Sequence, residues 1–255
     1  MRTLLAASLL ALASTAAAQK PDFTWSKALA AGSVVSVHNL NGDIRYEPAS
    51  GNTVEVTAVK HGRADDIYVA VQEYAGGVAV CVLWHNTDES CDRDGAHMHA
   101  HRSWRDSDGS MDVTVRLPAS MRADAHAVSG DISITGAQGD VHANSVSGDV
   151  RLRDLRASSV EARSVSGDVD VTISALTGAG GLRFRSVSGD VTVAVPQGLD
   201  ADFSMSTVSG ELDTDFPLTL SGGMGRRNIQ ARIGKGGRNL EVSTVSGDVK
   251  LRALK

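Results

Sequence analysis

Helical periodicity, proline and aromatic side chains are all scarce in this chain. Past the first eighteen residues, no segment repeats apolar residues at helical spacing and no run is apolar enough to cross a membrane. Five prolines stand against 26 glycines, so turns must be built by Gly and Asp. Two cysteines allow at most one intramolecular disulfide. A net charge of −5 argues against nucleic acid and anionic membrane surfaces as main partners. No nucleophile elbow, metalloprotease helix or phosphate loop occurs, so no catalytic signature is legible.

The chain opens with MRTLLAASLLALASTAAAQ. Arg2, the apolar run Leu4 to Ala13 and the small residues Ala16-Ala17-Ala18 have the layout of a secretory signal peptide at residues 1–18, cut near Ala18. No cysteine follows the cleavage region, which argues against a lipid-anchored form. The expectation is a periplasmic or secreted protein that does not span the membrane. In that compartment Cys81 and Cys91 are expected to form a disulfide. The rest is expected to divide into a lead-in at 19–33 and a single domain at 34–255, interrupted by a polar stretch at 86–110.

From Gly32 onward, short Val-rich alternating runs such as SVVSVHNL, NTVEVTAV, IYVAVQEY, GVAVCVLW and MDVTVRLP are separated by Gly, Asp, Asn and Ser. That is the pattern of β-strands with one buried face. A motif then repeats: AVSGDI, SVSGDV, SVSGDV, SVSGDV, TVSGEL and TVSGDV, with glycines at Gly130, Gly148, Gly167, Gly189, Gly210 and Gly247. HNLNGDI places Gly42 in the same role. The steps are 18, 19, 22, 21 and 37 residues, and the last reads as a doubled period.

Aligned on the glycine, the second and fourth following positions are apolar in nearly every copy. The seventh and fifth preceding positions are apolar as well, and the third preceding one is always small. Parity breaks at the Val two before the glycine, which marks a corner where a second surface is covered. Gly makes the bend there, and Asp131, Asp149, Asp168, Asp190 and Asp248 cap it. Each rung of about 20 residues is strand, corner, strand, with a further turn at GAQGDV. Such a unit buries its apolar face only when stacked. The fold class expected is all-β, a β-solenoid, with a β-sandwich as the alternative.

The repeated Ser-Val-Ser-Gly-Asp series resembles a bacterial family of exported domains of unknown function that carry a candidate-adhesin label. VTVRLPASMRADAHAVSGDI and VAVPQGLDADFSMSTVSGEL resemble it too, and the likeness runs over roughly Val34 to Leu251 with a gap at the polar stretch. It implies a right-handed, single-stranded β-helix and supplies no catalytic residues.

The sequence offers three candidate sites. If carboxylates of the Asp column stack at about 5 Å, neighbours repel by roughly 0.8 kcal/mol in water, which calcium would relieve. Glu211 in that column fits a structural corner better than a calcium ligand set. In the polar stretch, His97, His99 and His101 would share one face of a strand and suit zinc, copper or nickel, with His85, Asp92 and Asp94 in reach. Against a built centre, no spaced second half is visible. Arg151, Arg153, Arg163, Arg183 and Arg185 face outward and are read as balancing the acidic column. The leading function is a non-catalytic, adhesin-like binding or structural module of the cell envelope, without cofactor and with an unidentified polymer or protein partner. An envelope metal-binding protein centred on HMHAH is the alternative, and a polysaccharide-active β-helix enzyme the third.

Overall fold

The computed structural model describes residues 21–85, 89–98, 109–225 and 227–254. The expected signal peptide, His99 and His101 lie outside them. Every regular element described is a β-strand, as the alternation requires.

Two sheets of ten and eleven strands face each other across one continuous core, and the chain crosses between them at each Gly-Asp corner. The Gly167 rung is typical. Val160–Ser166 lies in the eleven-stranded sheet and Val169–Leu176 in the ten-stranded one, with Val160, Ala162, Val169, Val171 and Ile173 all buried. Its neighbour, the Gly148 rung, pairs with it in parallel and in the register of the sequence alignment: Val141 against Val160, Ala143 against Ala162, Val150 against Val169. Parallel pairing from rung to rung makes this a solenoid-like stack rather than a sandwich of antiparallel hairpins.

The stack does not follow chain order at its far end. Arg238–Ser243 lies between Leu182–Arg185 and Ala201–Ser206, and Val249–Leu254 lies between Val191–Pro196 and Leu212–Thr214. The spatial order of corners is therefore 42, 130, 148, 167, 189, 247, 210. The 37-residue step is not a doubled period. It contains the strands Thr219–Gly225 and Asn228–Ile233, which pair antiparallel with each other and cover the edge at Ala201–Ser206, before the chain returns to insert its last rung. The other end is also antiparallel. Ile67–Tyr74 pairs with Gly77–Trp84, and Phe23–Ala28, inside the expected lead-in, pairs with Thr53–His61. The sheets are thus mixed, parallel in the middle and antiparallel at both ends.

The corner residues interlock between rungs. Gly167 has φ 156°, and a Cβ placed on it would lie 2.2 Å from the Gly148 carbonyl oxygen, so only glycine fits. The Ser164 hydroxyl donates to that same carbonyl at 2.9 Å, as Ser186 does to Gly167 at 2.9 Å. Each Asp Oδ1 accepts the backbone N–H of the Asp one rung along. Asp149 takes that of Asp168, Asp168 that of Asp190 and Asp190 that of Asp248, each at 2.8 Å. The caps therefore act on the next rung rather than on their own corner. Asp248 receives Glu211 N–H at 2.9 Å, and Glu211 stands on the final rung with no further corner to serve, which explains why it need not be Asp. Where Ala127 replaces the small hydroxyl residue, Asn39 compensates: its amide donates to the Gly42 carbonyl at 2.9 Å and to Met111 O at 2.7 Å.

Two further expectations need correction. The corner valines do not cover a second surface: Val128, Val146, Val165, Val187, Val208 and Val245 stand between 42% and 61% exposed. The polar stretch is not loop throughout either, because Glu89–Asp92 and Gly95–Met98 form an antiparallel hairpin. The Asp92 carboxylate accepts Asp94 N–H at 2.8 Å in its turn, and Gly95 takes φ 123°. Cys91 joins this hairpin to Cys81, as the cysteine count led us to expect. The hairpin also explains why Gly77–Trp84 is buried on both faces at all but its last residue. Val78, Val80 and Val82 face the core, while Ala79, Cys81 and Leu83 are buried on the opposite side.

Gly167→Ala should lower stability by at least about 3 kcal/mol, since a Cβ must displace a neighbouring backbone. Asp168→Ala should cost about 1–3 kcal/mol by orphaning Asp190 N–H, and Asp168→Asn, which keeps an acceptor, less than about 1. Denaturant melts of the three variants check the order, and a severe Asn variant would refute the interlock. The disulfide closes a short loop, worth about 3 kcal/mol in the chain-entropy model. Its reduction should speed amide exchange in residues 89–98 by at least about tenfold and leave the Gly148 and Gly167 rungs protected.

Candidate functional site

Imidazole and carboxylate groups converge on the outer face of the eleven-stranded sheet, on three adjacent parallel strands. Val34–Asn41, Arg122–Ser129 and Val141–Ser147 pair so that Ser36, Asp124 and His142 form one cross-strand row. His38, His126 and Asn144 form the next, two residues along and on the same face. The inward neighbours Val35, Val37, Ala123, Ala125, Val141 and Ala143 are all in the core, which fixes the backbone beneath the cluster. The buried Tyr46 hydroxyl, 2.9 Å from Val35 O and 2.8 Å from Asp124 O, ties the first two strands together from below.

Asp124 is the hub. Its Oδ1 lies 2.9 Å from His126 Nε2 and 2.8 Å from His142 Nδ1, and its Oδ2 accepts the Ser36 hydroxyl at 3.1 Å. His38 Nε2 is 2.8 Å from Ser36 Oγ, and the His38 ring stacks on His126 with centroids 4.6 Å apart and planes 3° apart. The disulfide-held hairpin lies against this stack, since a Cβ on Gly95 would fall 2.7 Å from the His38 ring. On the hairpin itself, His97 Nε2 meets Asp92 Oδ2 at 2.9 Å.

The charges follow from these contacts. Burial, then the neighbouring His126, pushes His38 down to about 4, so it is neutral at pH 7. Burial also pushes the Asp124 carboxyl up, yet bonds from His126 and His142 outweigh it and hold the group well below the usual carboxylate range. The bond to Asp124 raises His142 against the opposing effect of burial. Among the described residues, Asp124, His126 and His142 are a group whose ligand atoms all lie within 4.8 Å of one another. An oxygen and two imidazole nitrogens suit zinc, copper or nickel rather than calcium.

None of these three was singled out from the sequence. Of the loop residues that were, His97 is placed on the hairpin and paired to Asp92, whereas His99 and His101 fall outside the described residues. The signal was present in the alignment. Positions six and four before the corner glycine read Ser36 and His38, Asp124 and His126, His142 and Asn144 in successive stacked rungs.

The acidic column uses its oxygens otherwise. Oδ1 atoms take backbone N–H groups, and Arg151 bridges Asp131 and Asp149 while Lys250 lies 3.8 Å from Asp190 and 3.6 Å from Asp248. Partial burial raises the Asp131 carboxyl, but Asp149 N–H and Arg151 more than offset it and hold it low. Of the outward arginines, Arg151 balances the corner column as expected and Arg153 pairs with Asp170. Arg163, Arg183 and Arg185 instead pair with Glu161 and Glu241 on the other sheet.

No curated protein matches this sequence. Among solved structures, one described as a candidate cell adhesion protein from Clostridium sporogenes matches with a TM-score of 0.53 at 10% identity, covering 92% of this chain and 100% of that one. A candidate adhesin from Bacteroides fragilis matches with a TM-score of 0.38 at 13% identity, over 90% of this chain and 96% of that one. The first of these supports the fold. The model of the family described as Toastrack DUF4097 matches residues 125–252, half of the chain, from the cluster strand that carries His126 to the inserted last rung. This chain belongs to the Toastrack DUF4097 family.

Proposed function

We propose that the chain is a non-catalytic, exported binding module of the cell envelope, adhesin-like as the names of its structural neighbours suggest. One observation carries this reading. Among the described residues, the large hydrophobic side chains that stand exposed are six corner valines, one on each rung from Gly130 onward. Single exposed apolar groups are ordinary on a protein surface, but these repeat at the rung spacing of about 4.8 Å. Packing does not require them there, because the core is filled by the inward columns.

A row of identical weak contacts suits an extended partner with its own repeat, such as an envelope polymer, since each contact adds to the next once the first has formed. The sequence of residues 1–18 supports export, and no helix among the described residues is long and apolar enough to cross a membrane. A groove on the ten-stranded sheet lined by Arg45, Glu47, Glu55 and Arg116 gives little support to a hydrolase, because Glu55 faces Arg116 at 3.5 Å.

The purified protein should bind an envelope fraction or glycan, and V146S/V165S/V187S should weaken that binding by at least about tenfold. Its stability should stay within about 1 kcal/mol of wild type because the side chains are exposed. No binding to any fraction or glycan would remove the adhesive reading. Mass analysis of the exported protein should give a mature chain beginning at Gln19.

A further inference from the structure

We propose that Asp124, His126 and His142 form a site for a divalent transition-metal ion of the zinc class, on the outer face of the eleven-stranded sheet beside the disulfide-held hairpin. The proposal is independent of the valine row and of any adhesive partner.

Three observations support it. First, the ligand atoms already converge. His126 Nε2 and His142 Nδ1 lie 2.9 and 2.8 Å from the same Asp124 oxygen. Around a tetrahedral zinc with bonds near 2.0–2.1 Å, ligand atoms stand about 3.3 Å apart, so outward shifts of about half an ångström make room for the ion. Each imidazole then carries its remaining proton on the far ring nitrogen, and any excess proton leaves to solvent.

Second, the side chains are oriented by groups that do not ligate. Ser36 holds the other Asp124 oxygen at 3.1 Å, and His38 lies flat against His126. Support of this kind behind a ligand set is what separates a built site from exposed residues that happen to be close. The three strands beneath are fixed by ladder pairing and a filled core, so the ordering cost is met by the fold rather than by the metal.

Third, the site is sheltered yet open on one side. The side chains of Asp124, His126 and His142 retain 26%, 30% and 39% exposure. Three protein ligands leave a fourth position for water or a partner's donor group. The hairpin over His38 adds Asp92 and His97 to the surroundings, and both act electrostatically on His38.

The test is calorimetry with zinc on the metal-stripped full chain, comparing wild type, H142A, D124N and H97A/H99A/H101A. Wild type should bind one zinc. H142A and D124N should lose more than about tenfold in affinity, and the triple-histidine variant should stay within about threefold. Should D124N unfold, because Asp124 anchors Ser36 and both imidazoles, H142A at the more exposed edge decides alone. Zinc should also raise the melting temperature of wild type and of the triple variant but not of H142A. No zinc binding by wild type, equal affinity in H142A, or loss confined to the triple variant would each overturn the proposal.

Discussion

Everything in this fold depends on how closely one corner glycine approaches the next. At each of the seven corners, six Gly-Asp and one Gly-Glu, a Cβ would meet a carbonyl oxygen of the adjoining rung at 1.9 to 2.3 Å. Backbones can stack that tightly only without side chains, and the stacking sets the register for both sheets at once. The hydroxyl three residues earlier and the carboxylate one residue later then satisfy polar groups that the close approach would strand. Motif and register are therefore one constraint. A rung that shifted by a single residue would lose its core face, its Ser bond and its Asp bond together.

The same constraint explains the irregular ends. A solenoid exposes an unpaired edge at each end, an invitation to further strand addition. Here the near end is covered by antiparallel strands at Ile67–Tyr74 and Phe23–Ala28, and the far edge of the eleven-stranded sheet by the strands from Thr219 to Ile233, while the ten-stranded sheet ends on the short strand Leu212–Thr214. The last rung of the chain then completes the stack from within, pairing with Val191–Pro196 on one side and Leu212–Thr214 on the other. The Gly210 rung cannot join the parallel array until that insertion has occurred, so the C-terminal strands bind the far cap to the rest.

Much of this was legible in the sequence because the inward columns obey one rule. Val141, Val160 and Leu182 align in the repeat and stack in the structure, as do Val150, Val169 and Val191. The rung order at the far end was not legible, since spacing along the chain says how many residues intervene but not where the chain re-enters the stack. The hairpin at 89–98 was hidden for another reason. Its order comes from the tether at Cys91 and from covering the outer side of Gly77–Trp84, not from its own weak periodicity. The cluster at Asp124 was hidden because Asp124, His126 and His142 lie up to 18 residues apart in the chain but side by side on the sheet, and only the outward columns of the repeat bring them together.

Those outward columns are where this fold has freedom. Packing fixes the seventh, fifth and third positions before the glycine and the second and fourth after it; the sixth, fourth and second before it face out. The sixth and fourth vary from rung to rung: Ser, Asp and His near the start, Glu and Arg ion pairs in the middle. The second hardly varies at all, holding the half-buried Leu40 and then an exposed valine on every later rung. Burial does not enforce that uniformity. Strand propensity favours a β-branched residue there, but by at most about 1 kcal/mol, and Thr would serve as well without exposing apolar surface. An exposed row kept apolar at a position where polar residues fit is therefore best read as a surface meant to be covered. The varied columns beside it then give different rungs different chemistry, with the histidine cluster confined to the rungs nearest the disulfide hairpin.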